Sequence, residues 1–389
     1  MPPHLSKLEE RSMRILAVDI GTGTQDILLF DSSKLVENCV KMIMPSPSVL
    51  VAERIARATA RGQPILLTGV TMGGSPSKRA LSRHAEVGLA AYATVEAAFT
   101  FHDDLDTVKA MGITIVGPNE APRSPDVEVI ELKDLDLAAI RRALDGFNVD
   151  HRFDAIAVAV LDHGFAPPGV SNRVFRFDYL RRVMAQRNEL LAFAHLTSEL
   201  PEHLTRMKAV ANSVDTDVPL LLLDTGVAAA LGSLQDEEVS KHDDRVTVNL
   251  GNSHTIAFHL HGSSIEGFFE HHTRLLDASS LDSMVTRLVQ GTLTNDEIYD
   301  AGGHGVVVVG RDRRKPFVAI TGPRQDIIAG SSLKPQRAVP HGDTMLAGCY
   351  GLVSAFALRM DAWREEIERA LVGKALWNLP RGKSIKGNA

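Results

Sequence analysis

Apolar residues along the chain fall in short runs separated by charged, glycine-rich or amphipathic stretches. "ILAVDI" and "DILLFD", within residues 14–31, are followed by "PILLTGV" (64–70), "ITIVG" (113–117), "VEVIEL" (127–132), "FDAIAVAVLD" (153–162) and "PLLLLD" (219–224). Each run is strand-sized and rich in aliphatic residues. Between them, "SPSVLVAERIARATARG" (46–62), "KDLDLAAIRRALDGF" (133–147) and "NELLAFAHL" (188–196) carry helical patterning. Strands alternating with helices predict an α/β fold with mixed, largely buried sheets flanked by helices.

The pattern restarts after "DEEVSKHDD" (236–244), which reads as a charged, exposed linker. "RVTVNLGNSHTIAFHLHG" (245–262) is again strand, turn, strand. A helix is expected over 280–291, strands over 305–310 and 317–322, an apolar helix from about Asp343, and an amphipathic helix over 361–377. The resulting division is a flexible leader (1–13), an N-terminal domain (14–235), a C-terminal domain (245–345), C-terminal helices (346–378) and a disordered basic tail (379–389). Asp19-x-Gly21-Thr22-Gly23-Thr24 near the start of the first half matches Asn249-x-Gly251-Asn252-Ser253-His254 in the second. Weak symmetry at this scale is the signature of a duplicated α/β domain.

Composition narrows the function classes. With 389 residues, 44% hydrophobic and 23% charged, the chain has the make-up of a globular protein of more than one domain. A net charge of -6 and 5% aromatic content give no basic face or stacking platform for nucleic acid. No apolar run is long enough for a membrane span, and the polar start has no signal-peptide core, so cytoplasmic placement is expected. The two cysteines, Cys39 and Cys349, lie far apart and exclude a one-chain cluster held by three or four thiolates.

Several stretches carry candidate chemistry. The turn after Asp19 is a plain hairpin turn or a phosphate cradle: glycines free backbone N–H groups to face an anion, and an adjacent aspartate suits Mg2+. "TGVTMGGSPSKRAL" (68–81) is either a second anion site or a capped helix start with basic residues in solvent. In "LDHGFAPPG" (161–169), Asp162 or His163 ends a buried strand where ligands gather, as a general base or as a turn cap. Glu270, His271, His272 and His304 are metal-ligand types. Neighbouring histidines on a strand face opposite ways, however, and local hydrogen bonding around a turn is the plainer reading.

Five segments in order resemble the superfamily of actin, sugar kinases, acetate kinases and the large heat-shock chaperones. "ILAVDIGTGTQDILLFD" is similar to its first phosphate loop, "PLLLLDTGVAAALGSL" to its first connecting helix and "VTVNLGNSHTIAFHL" to its second phosphate loop. "FVAITGPRQDIIAGSS" resembles its adenosine motif and "GDTMLAGCYGLVSAF" its second connecting helix. "VNLGNSHTIAF", "FFEHHTRLLD" and "GDTMLAGCYGL" further resemble a prokaryotic family labelled "putative pyruvate formate-lyase activating enzyme". The superfamily resemblance implies two RNase H-like domains with ATP and Mg2+ in the cleft between them. Asp19 would hold the metal, with Asp19, Asp162, His163 and Asp224 as catalytic candidates. Gly21, Thr22, Gly23, Thr24, Gln25, Asn249, Gly251, Asn252, Ser253, His254, Thr255, Gly322 and Arg324 would bind the cofactor.

The implied activity is a Mg-dependent phosphotransferase or ATPase acting on a small molecule. Asn249 stands where the superfamily usually has aspartate, and Gly322-Pro323 where it has paired glycines. These departures favour an alternative, a regulator or scaffold that keeps the fold without the chemistry. A third reading, an ATP-driven activator of a redox enzyme, would need a homodimer with cysteines at its seam. The radical activase implied by the family label needs three closely spaced cysteines, which this chain lacks.

Overall fold

The computed structural model describes residues 12–371, except 118, 119, 121, 123 and 311–314. The expected leader, apart from its last two residues, and the basic tail lie outside the described residues. Three strands come first: β1 (Arg14–Ile20), β2 (Thr24–Asp31) and β3 (Val40–Pro45). An insert follows, with β4 (Ile65–Gly69), β5 (Ala91–Ala93), β6 (Ile113–Ile115) and β7 (Glu128–Leu132). The chain returns through β8 (Ala155–Val160), β9 (His195–Leu196) and β10 (Leu220–Leu223). The second half holds β11 (Asp244–Leu250), β12 (His254–His261), β13 (Ser264–His272), β14 (Gly305–Val308), β15 (Phe317–Thr321) and β16 (Gln336–Arg337).

The sheet topology is duplicated. One six-stranded sheet has the order β3-β2-β1-β8-β10-β9 and the other β14-β13-β12-β11-β15-β16. In the first, β1–β2 and β2–β3 are antiparallel while β1–β8 and β8–β10 are parallel. The second repeats those senses in β11–β12, β12–β13, β11–β15 and β15–β16. This is the duplicated RNase H-like, mixed-sheet layout that the sequence implies.

Between the sheets pack the helices Thr225–Ser233 and Ala347–Arg359. Every residue of the first helix except Thr225 is buried, and every residue of the second except Arg359. A Cβ on Gly232 would overlap the carbonyl oxygen of Ala347, and one on Gly351 that of Ala228. The small residues therefore set how closely these helices cross. One core runs from Leu28 and Phe30 through Tyr350 and Phe356 to Phe258 and Phe268, joining the two sheets.

Five features depart from the sequence reading. β4 to β7 form a separate parallel sheet, ordered β6-β5-β4-β7, with its own apolar core. Residues 188–196 are a 3-10 turn (Leu190–Phe193) leading into β9, because three core side chains, Leu190, Leu191 and Phe193, are buried within a span too short for an α-helix. The segment 236–244 is anchored rather than free. The carboxylate of Asp236 accepts from the N–H groups of Glu238, Val239 and Val339. The helix Asn172–Gln186 and strand β13 were not foreseen, since the helix has no regular apolar stripe and β13 is interrupted by glycine and charge.

Candidate functional site in the cleft between the sheets

The two glycine turns fold alike. The N–H of Gly21 donates to Thr24 O at 2.9 Å, and that of Gly251 to His254 O at 3.1 Å. They also touch: a Cβ on Gly23 would overlap the Asn252 carboxamide. Ser46, N-cap of the helix Pro47–Ala60, donates through Oγ to Thr22 O at 2.7 Å and clamps the first turn from behind. Gly322, at φ +91°, lies beside the second turn, where a Cβ would come within 2.5 Å of Leu250 O. No residue with a side chain fits that position without strain.

These turns face a single cavity of about 360 Å³. Of the candidate residues, Asp19, Gly21, Thr22, Thr24, Asn249, Gly251, Asn252, Ser253, His254 and Gly322 line it, and so do Asp162 and His163. The insert contributes the loop Thr71–Ser75 and Lys78, so the "TMGGS" stretch faces the same space. Gln25 donates to Pro45 O instead, Thr255 meets Thr273 in the core, and Arg324 pairs with Asp326 in solvent. Asp162 spends both carboxylate oxygens on the N–H groups of Gly164 and Met207, which is the turn-capping arrangement. Asp224 caps the helix Thr225–Ser233 and ion-pairs with Arg176 at 2.8 Å, behind the cavity wall.

The floor of the cavity is acidic. Asp19 and Asp26 are directly opposite one another in β1 and β2. Thr225 Oγ1 donates to Asp19 Oδ1 at 2.6 Å, and Asp26 Oδ1 is buried without a hydrogen-bond partner. Burial pushes Asp19 up to about 7, against the Thr225 bond and with help from Asp224. Burial and then the charge of Asp19 push Asp26 up to about 8. Gly348 leaves room for Asp19 at the first turn of the helix Ala347–Arg359, where the helix dipole favours an anion. Two adjacent buried carboxylates, one with an oxygen left unpartnered, are a donor set suited to a hard divalent cation.

A second cluster stands at the cavity wall. His163 follows β8, His254 opens β12, Glu270 lies on β13 and His304 precedes β14; one donor atom from each lies within 4.8 Å of the others. Arg176 reaches the Glu270 Oε2 atom through Nε at 2.9 Å and Nη2 at 2.8 Å. Burial alone would raise Glu270, but Arg176 and His304 overcome it and hold the carboxyl well below its usual range. Burial lowers His163 far below the ordinary imidazole value and brings His254 down to about 3. His271 turns the other way, towards Gly303, while the His272 ring packs 5.1 Å from His254 and 4.9 Å from His304.

Sequence reasoning missed Asp26, Arg176 and the Arg206–Asp134 pair. A charged residue inside the apolar run "DILLFD" was the available signal for Asp26. Nothing local marked Arg176, whose carboxylate partners are 48 and 94 residues away.

The family model described as "Putative pyruvate format-lyase activating enzyme (DUF1786)" matches residues 72–327. No curated protein matches the chain. Among solved structures, similarity extends to an ethanolamine utilization protein from Carboxydothermus hydrogenoformans, with 12% identity over 90% of each chain and a TM-score of 0.32. A glucokinase from Streptomyces griseus, in complex with glucose and AMPPNP, is 11% identical over 87% of this chain and 97% of its own, at 0.34. An activator of 2-hydroxyisocaproyl-CoA dehydratase from Clostridium difficile, with bound ADPNP, is 11% identical over 91% and 98%, at 0.32.

Proposed function

We propose that this chain, which belongs to the DUF1786 family, binds ATP with Mg2+ in the cleft and acts as a phosphotransferase or ATPase on a small molecule. One observation carries the reading: two like-folded glycine turns, one from each sheet, meet over a single cavity with paired buried carboxylates on its floor. Backbone N–H groups in such turns suit phosphate oxygens. Asp19 and Asp26 would hold Mg2+, which supplies charge neutralisation at the transferring phosphoryl group. Gly322, held at positive φ against the second turn, keeps that wall open for the nucleotide. The loop Thr71–Ser75 of the insert closes the remaining side and limits water.

The family label implies an iron–sulfur activase, and the residues present do not fit one. Cys39 and Cys349 are buried, and their thiols point at the backbone carbonyls of Asp31 and Leu35, and of Ala17 and Asp26. Neither offers a thiolate at the surface for a cluster shared across a dimer. A non-catalytic regulator remains the second reading, favoured by Asn249, whose Oδ1 accepts from Thr321 at 3.4 Å instead of offering a carboxylate.

Calorimetric titration of ATP, with and without Mg2+, tests the proposal. Micromolar binding is expected, weakened at least about tenfold, or about 1.4 kcal/mol, in Asp19→Ala. Absence of heat with every nucleotide would overturn it. Tight binding with no phosphoryl transfer to water or to any hydroxyl or carboxylate acceptor would favour the regulator.

A further inference from the structure

We infer that His163, His254, His304 and Glu270 form a site for one divalent transition metal, separate from the Mg2+ proposed at Asp19 and Asp26. The donor set is three imidazoles and one carboxylate. That chemistry suits zinc, iron(II) or cobalt rather than magnesium, which prefers oxygen ligands and its own water.

The four donor atoms converge on one small space. His304 Nδ1 lies 2.7 Å from Glu270 Oε1, a buried ion-pair contact that joins two of the four donors directly. Both residues are buried, Glu270 at 0% and His304 at 2% exposure. The His163 and His254 rings bring two more nitrogens into the same space, a concentration of lone pairs that a bound cation would satisfy. The remaining Glu270 oxygen is taken by Arg176, which fixes the carboxylate so that Oε1 faces the rings. That is the outer-shell support metal carboxylates usually have.

The backbone prepares the site as well. The N–H of His304 donates to Glu270 O at 2.9 Å, locking the two ligands side by side. Gly303 and Gly305 flank His304 at positions where a Cβ would strike Ile298 and His271, or Phe177 and Asn295. The four donors spread up to 4.8 Å, against about 3.4 Å for tetrahedral ligands at about 2.1 Å. Small side-chain rotations close that gap.

The placement gives the ion a role. His254, Glu270 and His304 come from the second sheet, and His163 alone follows a strand of the first. A bound metal therefore ties the two sheets together at the cavity that His163 and His254 line. His163 is the single ligand on which that tie depends.

Cobalt(II) titration of chelator-stripped full-length chain, without nucleotide, tests the inference by visible absorption. One equivalent per chain is expected, with d–d bands, no sulfur charge-transfer band and a rise in melting temperature. His163→Ala and His304→Ala should each weaken binding by about 10- to 100-fold, since losing a ligand costs no less than losing its support. His163→Ala should abolish the thermal gain while circular dichroism stays native. If His304→Ala does not fold, His254→Gln serves in its place. Absence of saturable binding would overturn the inference and leave a hydrogen-bonded histidine cluster. So would a cobalt spectrum unchanged in both variants. Failure of the ATP titration leaves this spectrum untouched, so the two ideas fall separately.

Discussion

Asp26 illustrates what a single buried group contributes. Its Oδ1 has no partner and its neighbour across the ladder is another aspartate. Without a cation that pair opposes folding. Asp26→Asn should therefore stabilise the metal-free chain by about 1–2 kcal/mol, seen as a higher melting temperature, while weakening any Mg2+-dependent nucleotide binding. Differential scanning fluorimetry with and without Mg2+ reads both effects; a destabilised variant would refute the argument. His195 shows the opposite sign of control by protons. Burial brings it down to about 4, with Arg359 and His203 adding to the shift and Glu199 opposing it, and Tyr179 meets its Nε2 atom at 3.2 Å. The unfolded chain takes up a proton near the ordinary value of about 6.5, and the folded chain does so only near 4. This contribution is complete above that unfolded value and is lost as pH falls through the window. Denaturant midpoints near neutrality and near pH 5 should converge in His195→Gln relative to wild type.

At the scale of elements, the crossing of the helices Thr225–Ser233 and Ala347–Arg359 is the most demanding contact. Each helix presents a glycine to a carbonyl oxygen of the other. A methyl group at Gly351 has to push backbone, which cannot swing aside as a side chain can. Gly351→Ala should cost about 1–3 kcal/mol in chemical unfolding, although alanine is the better helix former by about 1 kcal/mol. A neutral result would mean the helices separate without penalty. The same helices carry Asp19's neighbours, Thr225 and Gly348, so any change in their spacing moves the cavity floor.

Across the whole molecule, the segment after β7 is tied to the first sheet by an ion pair whose carboxylate is buried. Arg206 binds Asp134 through Nε at 2.7 Å and Nη2 at 2.9 Å, and donates to Leu161 O. Asp134 in turn accepts from the N–H of Gly73, in the loop that faces the cavity. Arg206→Ala leaves Asp134 charged and buried, a loss of about 3–5 kcal/mol in this region. Hydrogen exchange should quicken in strands β4 to β7 and in the loop Thr71–Ser75 more than in the second sheet. Uniform quickening would show that the insert does not loosen independently. Among the described residues no helix is long and apolar enough to cross a membrane.

The sequence by itself determined the elements whose signals are local. Apolar runs such as "ILAVDI" and "PLLLLD" became central strands because burial on both faces leaves no polar alternation to misread. The paired glycine turns, and the repetition that implied a duplicated fold, were also legible, since glycine placement depends on the turn itself. Strand β13 was not, because its apolar residues are divided by Glu266, Gly267 and Glu270, whose reasons lie across the sheet. Nor was the separate insert sheet, since β4 and β7 carry no mark of which sheet they join. The cluster of His163, His254, Glu270 and His304 was decided by tertiary structure alone. Its members are scattered from the end of β8 to the start of β14, and only the parallel crossover and the antiparallel meander bring them within 4.8 Å. Local physics fixes periodicity and turns; which charged and imidazole groups share one small buried space depends on how whole sheets pack.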